Sequence, residues 1–212
     1  MEASITFKAV GKTIGKKILL ADLSFGVEKG STFVLIGENG SGKSIILKLL
    51  VGLIEKDTGS VYIQGQDIST RSVETRSICG YMPQTINLDD ELTVMENLSI
   101  YGQLHGLTSA QATSNTLHWA EILGFTQLLK KYPYKLSHGF QRKVLFARSL
   151  IHDPEVLLLD EPTSGMDPHS RNSIWNVLDK LQKSKTIIFV TQNFREAERY
   201  ADRIAILHNG NI

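Results

Sequence analysis

Apolar residues alternate near the start of the chain, at Ile5, Phe7 and Ala9 and again at Leu23, Phe25 and Val27, with a turn rich in Gly and Lys at 11–17 between them. A period of two marks half-buried strands, so a small antiparallel sheet is predicted first. Residues 32–36 form a compact apolar run of strand length. Beyond a glycine-rich loop, Ile46, Leu47, Leu50 and Leu53 recur on one helical face and predict a helix over 43–53. Short strands are predicted at 61–63 and 77–81. From Thr93 to about Ile151 the pattern is mostly helical, and it opens on Thr93 and Glu96 at capping-box spacing. Apolar runs at 156–159, 186–190 and 203–207 then alternate with helical patterns at about 168–183 and 194–201. Such alternation predicts a parallel α/β sheet, interrupted by a helical insertion over about 85–150. No repeat or linker divides the chain, so 1–212 is read as a single domain.

Composition narrows the function classes. A chain of 212 residues with 42% hydrophobic positions can bury a substantial core without covalent staples. Its 23 basic and 22 acidic residues leave a net charge of +1, which gives no electrostatic case for nucleic acid, and no nucleic-acid partner is expected. Cys79 is the only cysteine, and the opening residues lack the charged-then-apolar layout of a secretory signal; a cytoplasmic location is expected. The apolar runs at 156–159 and 187–190 fall far short of the roughly 20 residues that span a bilayer. A membrane role would therefore come through a partner.

Gly37, Glu38, Asn39, Gly40, Ser41, Gly42, Lys43 and Ser44 follow one another in the pattern of a P-loop. Its glycines let the backbone wrap so that successive amide N–H groups face phosphate oxygens, and the helix that follows offers its positive end to the same charge. Lys43 would reach the β and γ phosphates of ATP, and the Ser44 hydroxyl would ligate Mg²⁺. Much later, the buried-strand pattern at 156–159 leads into Asp160 and Glu161. Asp160 is placed to hold the metal through water, and Glu161 to orient or deprotonate the attacking water.

With these residues in this order, the chain resembles the nucleotide-binding subunit of ABC transporters over essentially its whole length. Tyr81, Met82, Pro83 and Gln84 look like the Q-loop. The resemblance implies that Gln84 contacts Mg²⁺ or water and links the catalytic core to the helical subdomain. Leu136, Ser137, His138, Gly139 and Phe140, followed by Gln141, Arg142 and Lys143, look like the signature motif. In the family this motif closes over the ATP of the opposite subunit in a head-to-tail dimer, so Ser137 and Gly139 would be contacts made across it. Ser164, Gly165, Met166 and Asp167 are similar to the D-loop that touches the partner subunit. The wording from Asp160 to Pro168 is most like exporter-type members, which pump drugs, lipids or polysaccharides outward.

The implied fold is a P-loop α/β core with a parallel sheet, a small N-terminal antiparallel β subdomain and an inserted helical subdomain. The implied cofactors are ATP and Mg²⁺. The implied partners are an integral-membrane permease subunit and a second nucleotide-binding subunit, in a homodimer or a heterodimer seated on the cytoplasmic face of a membrane. Alternatives within the same class are a haem or cytochrome-maturation exporter ATPase and a hydrolysis-poor regulatory subunit. A soluble relative acting on ribosomes or DNA would call for a second such domain or a coiled coil, and the pattern has neither.

Four positions depart from the family pattern. Ile14 stands where an aromatic residue usually stacks on adenine, and it offers no π face. Ile45 removes a hydroxyl that commonly meets the α phosphate. His138 puts a side chain where a glycine lets backbone approach phosphate. Gln192 replaces a histidine that reaches the γ phosphate; it can donate an amide hydrogen bond but carries no charge. Together they bear on the rate of hydrolysis, either as drift at tolerant positions or as a slow site. Trp119 and Trp175 lie in helical patterns and read as packing. His105, His118, His152, His169 and His208 lack metal-ligand spacing.

Overall fold

The computed structural model describes residues 3–69 and 77–212, so Met1 and Glu2 of the opening stretch lie outside the described residues. The chain divides into two compact units. The first takes the described part of Met1–Cys79 with Glu155–Glu161 and Gln182–Ile212; the second takes Gly80–Pro154 and Pro162–Leu181.

In chain order the first unit contains β1 (Ala3–Ile14), β2 (Lys17–Glu28), β3 (Thr32–Ile36), α1 (Lys43–Leu50), β4 (Thr58–Ile63) and β5 (Gln66–Asp67). The antiparallel sheet has the order β2-β1-β4-β5. Its first hairpin is tighter than the sequence predicted: β1 runs to Ile14 and β2 resumes at Lys17, with Gly15 taking the left-handed φ of 61° that a two-residue turn requires. Ala9 is not the inward position that strict alternation predicts. Its φ is 51° and the pairing register shifts between Phe7 and Val10, so a bulge leaves Ala9 exposed and turns Val10 into the core. The rings of Phe7 and Phe25 stack at 4.6 Å, and Phe25 stacks at 5.3 Å on Phe33 of β3.

The second sheet uses β7 (Val156–Asp160), β8 (Thr186–Thr191) and β9 (Arg203–Ile206), which run parallel with β3 in the order β7-β8-β3-β9. Strand β6 (Cys79–Met82) leaves this unit after Cys79, and just before it the Ile78 carbonyl accepts from the Val156 N–H at 3.0 Å. Every residue of β3, β7 and β8 is buried. That is the condition of parallel strands covered on both faces, and it explains why they read as continuous apolar runs. Helix α1 buries Ile46, Leu47, Leu49 and Leu50. It stops at Leu50, short of the predicted end, because Gly52 with φ 68° turns the chain out of the helix.

The second unit is mainly helical: α2 (Val94–Leu104), α3 (Ser109–Leu123), α4 (His138–Leu150) and α5 (Pro168–Leu181). The capping box predicted at Thr93 and Glu96 is formed in both directions, and Thr108 with Gln111 forms a second one at the start of α3. Each cap satisfies N–H groups a helix cannot pair internally and contributes about 1 kcal/mol. Ser137 caps α4 through a 3.4 Å bond from the Phe140 N–H, and Asp167 Oδ1 accepts from the Ser170 N–H at 3.0 Å as α5 begins on Pro168. The last short helix, α6 (Phe194–Tyr200), belongs to the first unit. Among the described residues no helix is long and apolar enough to cross a membrane.

Candidate nucleotide site

Three parallel strands of the first unit end in register. Ile36 pairs with Thr191, and Asp160 pairs with Val190. The segments that leave β3, β7 and β8 therefore emerge side by side at the carboxyl edge, where open α/β sheets bind ligands. They carry the loop 37–42, Glu161 and Gln192.

The loop after β3 is shaped by its glycines. A Cβ on Gly37 would run into the Leu207 carbonyl, and Gly42, with φ 107°, would bring one to 2.8 Å from the Leu19 carbonyl. Gly42 is also the N-cap of α1 and gives no side-chain bond, so no capping side chain competes with an anion for the N–H groups of Lys43 and Ser44. Lys43 is buried; its Nζ donates to the carbonyls of Gly37 at 2.6 Å and Glu38 at 2.9 Å. Burial lowers its pKa from the ordinary lysine value, and the carboxylates of Glu161 and Asp160 draw it back up.

Ser44 Oγ donates to Asp160 Oδ1 at 3.0 Å. This pair is a hydroxyl and a carboxylate of the oxygen chemistry that Mg²⁺ selects, and a site for it needs few protein ligands because the ion retains water and phosphate. The residues fit. The Ser41 hydroxyl is buried with no hydrogen-bond partner among the described residues. An uncommitted hydroxyl inside such a loop also suits a phosphate oxygen.

Glu161 follows β7 with φ 49°, a left-handed conformation that costs a non-glycine residue about 1 kcal/mol or more, and its N–H is held by the Val190 carbonyl at 3.0 Å. Its carboxylate accepts from Gln192 Nε2 at 3.2 Å, and the same nitrogen donates to Asn39 Oδ1 at 2.6 Å. Burial raises the Glu161 pKa. The Gln192 side-chain bond, the Lys43 charge and the Gln192 backbone N–H oppose that rise, and the neighbouring Asp160 adds to it.

Of the sequence-predicted residues, the first unit thus brings together Gly37, Glu38, Asn39, Gly40, Ser41, Gly42, Lys43, Ser44, Asp160, Glu161 and Gln192. Ile45 follows in α1, half-buried, and Ile14 ends β1 at 53% exposure. A cleft of about 260 Å³ lies beside the loop, with Lys17, Ile18, Asn39, Gly40 and His208 among its walls.

Gln84, Ser137 and Gly139 belong to the second unit. There Arg142, 1% exposed, donates from Nη1 to the carbonyls of Gln84 at 2.6 Å and Pro83 at 3.3 Å. The helix that begins at the signature residues thus holds the main chain at Gln84. His138 lies over Gly165, where an added Cβ would meet its Cε1 at 3.0 Å. Lys143 is buried with its ammonium 5.3 Å from the Phe140 ring centre; burial lowers its pKa and Asp167 opposes the shift.

Residues 20–164 match the model of the family described as ABC transporter. The chain belongs to that family. Nod factor export ATP-binding protein I of Burkholderia lata is 40% identical over 212 residues, covering 98% of this chain and 69% of the relative. A solved structure described as an ATP binding subunit of an ABC transporter has a TM-score of 0.90 at 29% identity, covering 98% of this chain and 87% of the other. A dimeric post-hydrolysis state of the ATP-binding cassette MJ0796, bound to ADP and Pi, has a TM-score of 0.90 at 26% identity, covering 98% and 96%. The P-loop α/β class expected from the sequence is the fold these ABC cassettes share.

Two contributors leave little mark on the sequence. In the sequence Asn39 is only part of the phosphate loop, and its bond to Gln192 joins positions 153 residues apart with no local pattern between them. Arg142 is part of the signature pattern in sequence, and its burial beside Lys143 shows only in the structure.

Proposed function

We propose that the chain is the ATP-hydrolysing subunit of an ABC exporter, working as a head-to-tail dimer with ATP between the subunits and driving a separate membrane permease. The observation that carries this reading is the bond from Ser44 to Asp160, with Lys43 and Glu161 in the same unit. It joins the phosphate loop to the carboxylates that a hydrolytic site needs.

In this mechanism Lys43 exchanges its two loop carbonyls for β and γ phosphate oxygens of ATP, a change to stronger charge-assisted bonds. Ser44 and Asp160 would hold Mg²⁺, and the family pattern assigns Gln84 a contact with the ion or its water. When bound, the ion would supply charge that neutralises the phosphates. Glu161 accepts a proton from the attacking water as the water oxygen bonds to the γ phosphorus; the bond from that phosphorus to the β–γ bridging oxygen breaks, giving ADP and phosphate. Gln192 holds the Glu161 carboxylate. Ser137 and Gly139 of a second copy offer a hydroxyl and the α4 N-terminus to the γ phosphate, while Ile14 and Ile45 flank the base and the α phosphate. Export is the direction taken from the named role of the Burkholderia relative, and cargo choice is assigned to the membrane subunit.

Light scattering on the Glu161→Gln variant tests the dimer. The expected result is a dimer at saturating Mg-ATP that returns to monomer when nucleotide is removed. A monomer under both conditions, with ATP bound, contradicts the sandwich.

A further inference from the structure

Gln192 Nε2 is the hub of a three-residue network: it donates to Asn39 Oδ1 at 2.6 Å and to Glu161 Oε1 at 3.2 Å. Gln192 and Asn39 are both exposed, whereas Glu161 is buried, with 9% of its surface exposed. An amide nitrogen has two protons, and these two acceptors account for both. The orientation is fixed by chemistry. Turning the Gln192 amide over would set its carbonyl oxygen against the Glu161 carboxylate, an acceptor against an acceptor. With nitrogen facing Glu161, the neighbouring atom of Asn39 must be its oxygen.

We infer that Asn39 is a positioning residue for hydrolysis, holding the Gln192 amide so that Nε2 stays on the Glu161 carboxylate. The inference rests on the proposed reading of Glu161 as the base. Asn39 itself touches no proposed reacting atom; it acts through Gln192. A glutamine on the surface samples many rotamers, and its bond to Glu161 is the longer of the two. The shorter bond to Asn39 selects the rotamer in which the longer one exists. The phosphate loop thereby sets the state of the base: Asn39 lies four residues before Lys43, and a loop shaped around phosphate presents its acceptor to Gln192 in a fixed place.

The role predicts a division between kinetic parameters. Asn39→Ala removes the acceptor and leaves the loop glycines, Lys43 and Ser44 in place. The expected kcat falls about two- to tenfold, the range for one neutral hydrogen bond, while KM and Mg-ATP affinity stay unchanged. The decisive comparison is a double-mutant cycle with Gln192→Ala. If Asn39 acts through Gln192, Asn39→Ala costs nothing further in that background.

Steady-state Mg-ATPase and calorimetry on the wild type, both single variants and the double variant carry the test. Reduced kcat at unchanged affinity, with no additional loss in the double variant, supports the role. Wild-type kcat in Asn39→Ala overturns it, as does a loss confined to affinity or a fully additive loss in the double variant. A wild type that binds Mg-ATP and does not hydrolyse it overturns the parent reading of Glu161, which separates that failure from a failure at Asn39.

Discussion

Ser44 and Asp160, 116 positions apart, are joined by a 3.0 Å hydrogen bond between hydroxyl and carboxylate. The bond ties the start of α1 to the end of β7, and it places two oxygen donors of the kind Mg²⁺ takes where the phosphate loop meets the sheet. Replacing the Asp160 carboxylate by an amide should weaken the Mg²⁺ dependence of ATP binding more than ATP binding without metal. Calorimetry with Mg-ATP and with ATP in chelator checks this. Equal effects under both conditions would argue against metal binding at this pair.

Lys43→Ala should retain the fold and lose ATP affinity. The ammonium is the mobile charge among fixed backbone donors, and a hydrogen bond to a charged group contributes about 1.5–3 kcal/mol, or roughly ten- to a hundredfold in Kd. Circular dichroism with calorimetry separates the two properties. Unchanged affinity would remove the phosphate assignment from this loop.

Arg142→Met should destabilise the protein by about 2–3 kcal/mol through the loss of charge-assisted bonds to the Gln84 and Pro83 carbonyls. Arg142→Lys should recover only part of it, because an ammonium lacks the planar fork. Thermal unfolding of the two variants gives the measurement. A Tm equal to wild type in both would mean that these carbonyls find other partners.

The strand-loop-helix core was legible because buried parallel strands have no polar alternation and each ends in a breaker. The P-loop and the Asp160–Glu161 pair were legible because their chemistry is local in sequence. Strict alternation places Ala9 inward, and the bulge that turns it out shifts the period by one residue without changing composition. In the sequence Gln192 is a neutral replacement for the family's histidine. Its two acceptors, Asn39 and Glu161, could not be seen in sequence, and a neutral imidazole with one N–H could serve only one of them. Arg142 was hidden for a related reason: its partners are backbone carbonyls, which leave no mark on residue type.

The buried thiol of Cys79 has its pKa pushed up to about 12 by burial. It should therefore resist alkylation in the native protein and react on unfolding, since the thiolate is the nucleophile. Timed labelling with iodoacetamide, with and without denaturant, is the check. Rapid native labelling would contradict the packing around β6.

His105 packs between the Tyr101 ring at 4.5 Å and the His152 ring at 4.0 Å, with the Arg148 guanidinium 5.1 Å from the Tyr101 ring centre. Burial lowers its pKa below the ordinary value of 6.5. A lowered folded-state value means that the unfolded chain takes up the proton first. The stability this group contributes is then complete above pH 6.5 and declines as pH falls through the lowered value. Denaturant unfolding from pH 7.5 to about 5 should show that decline in the wild type and a shallower one in His105→Phe. Identical slopes would assign the pH dependence to other groups.

On the proposed reading, the carboxylates at the end of β7 and the phosphate loop form one hydrolytic site. Its most direct test is steady-state Mg-ATP turnover of the wild type beside Glu161→Gln, with ATP affinity measured on both. Glu161→Gln keeps the side chain's shape and removes its basicity, so kcat should fall by about a hundredfold or more while affinity is retained. In the wild type, kcat/KM should also decline at acidic pH as the Glu161 carboxyl, whose pKa burial raises in the free protein, takes up its proton. A Glu161→Gln variant that turns over ATP at the wild-type rate, with both proteins binding it equally, would contradict the account.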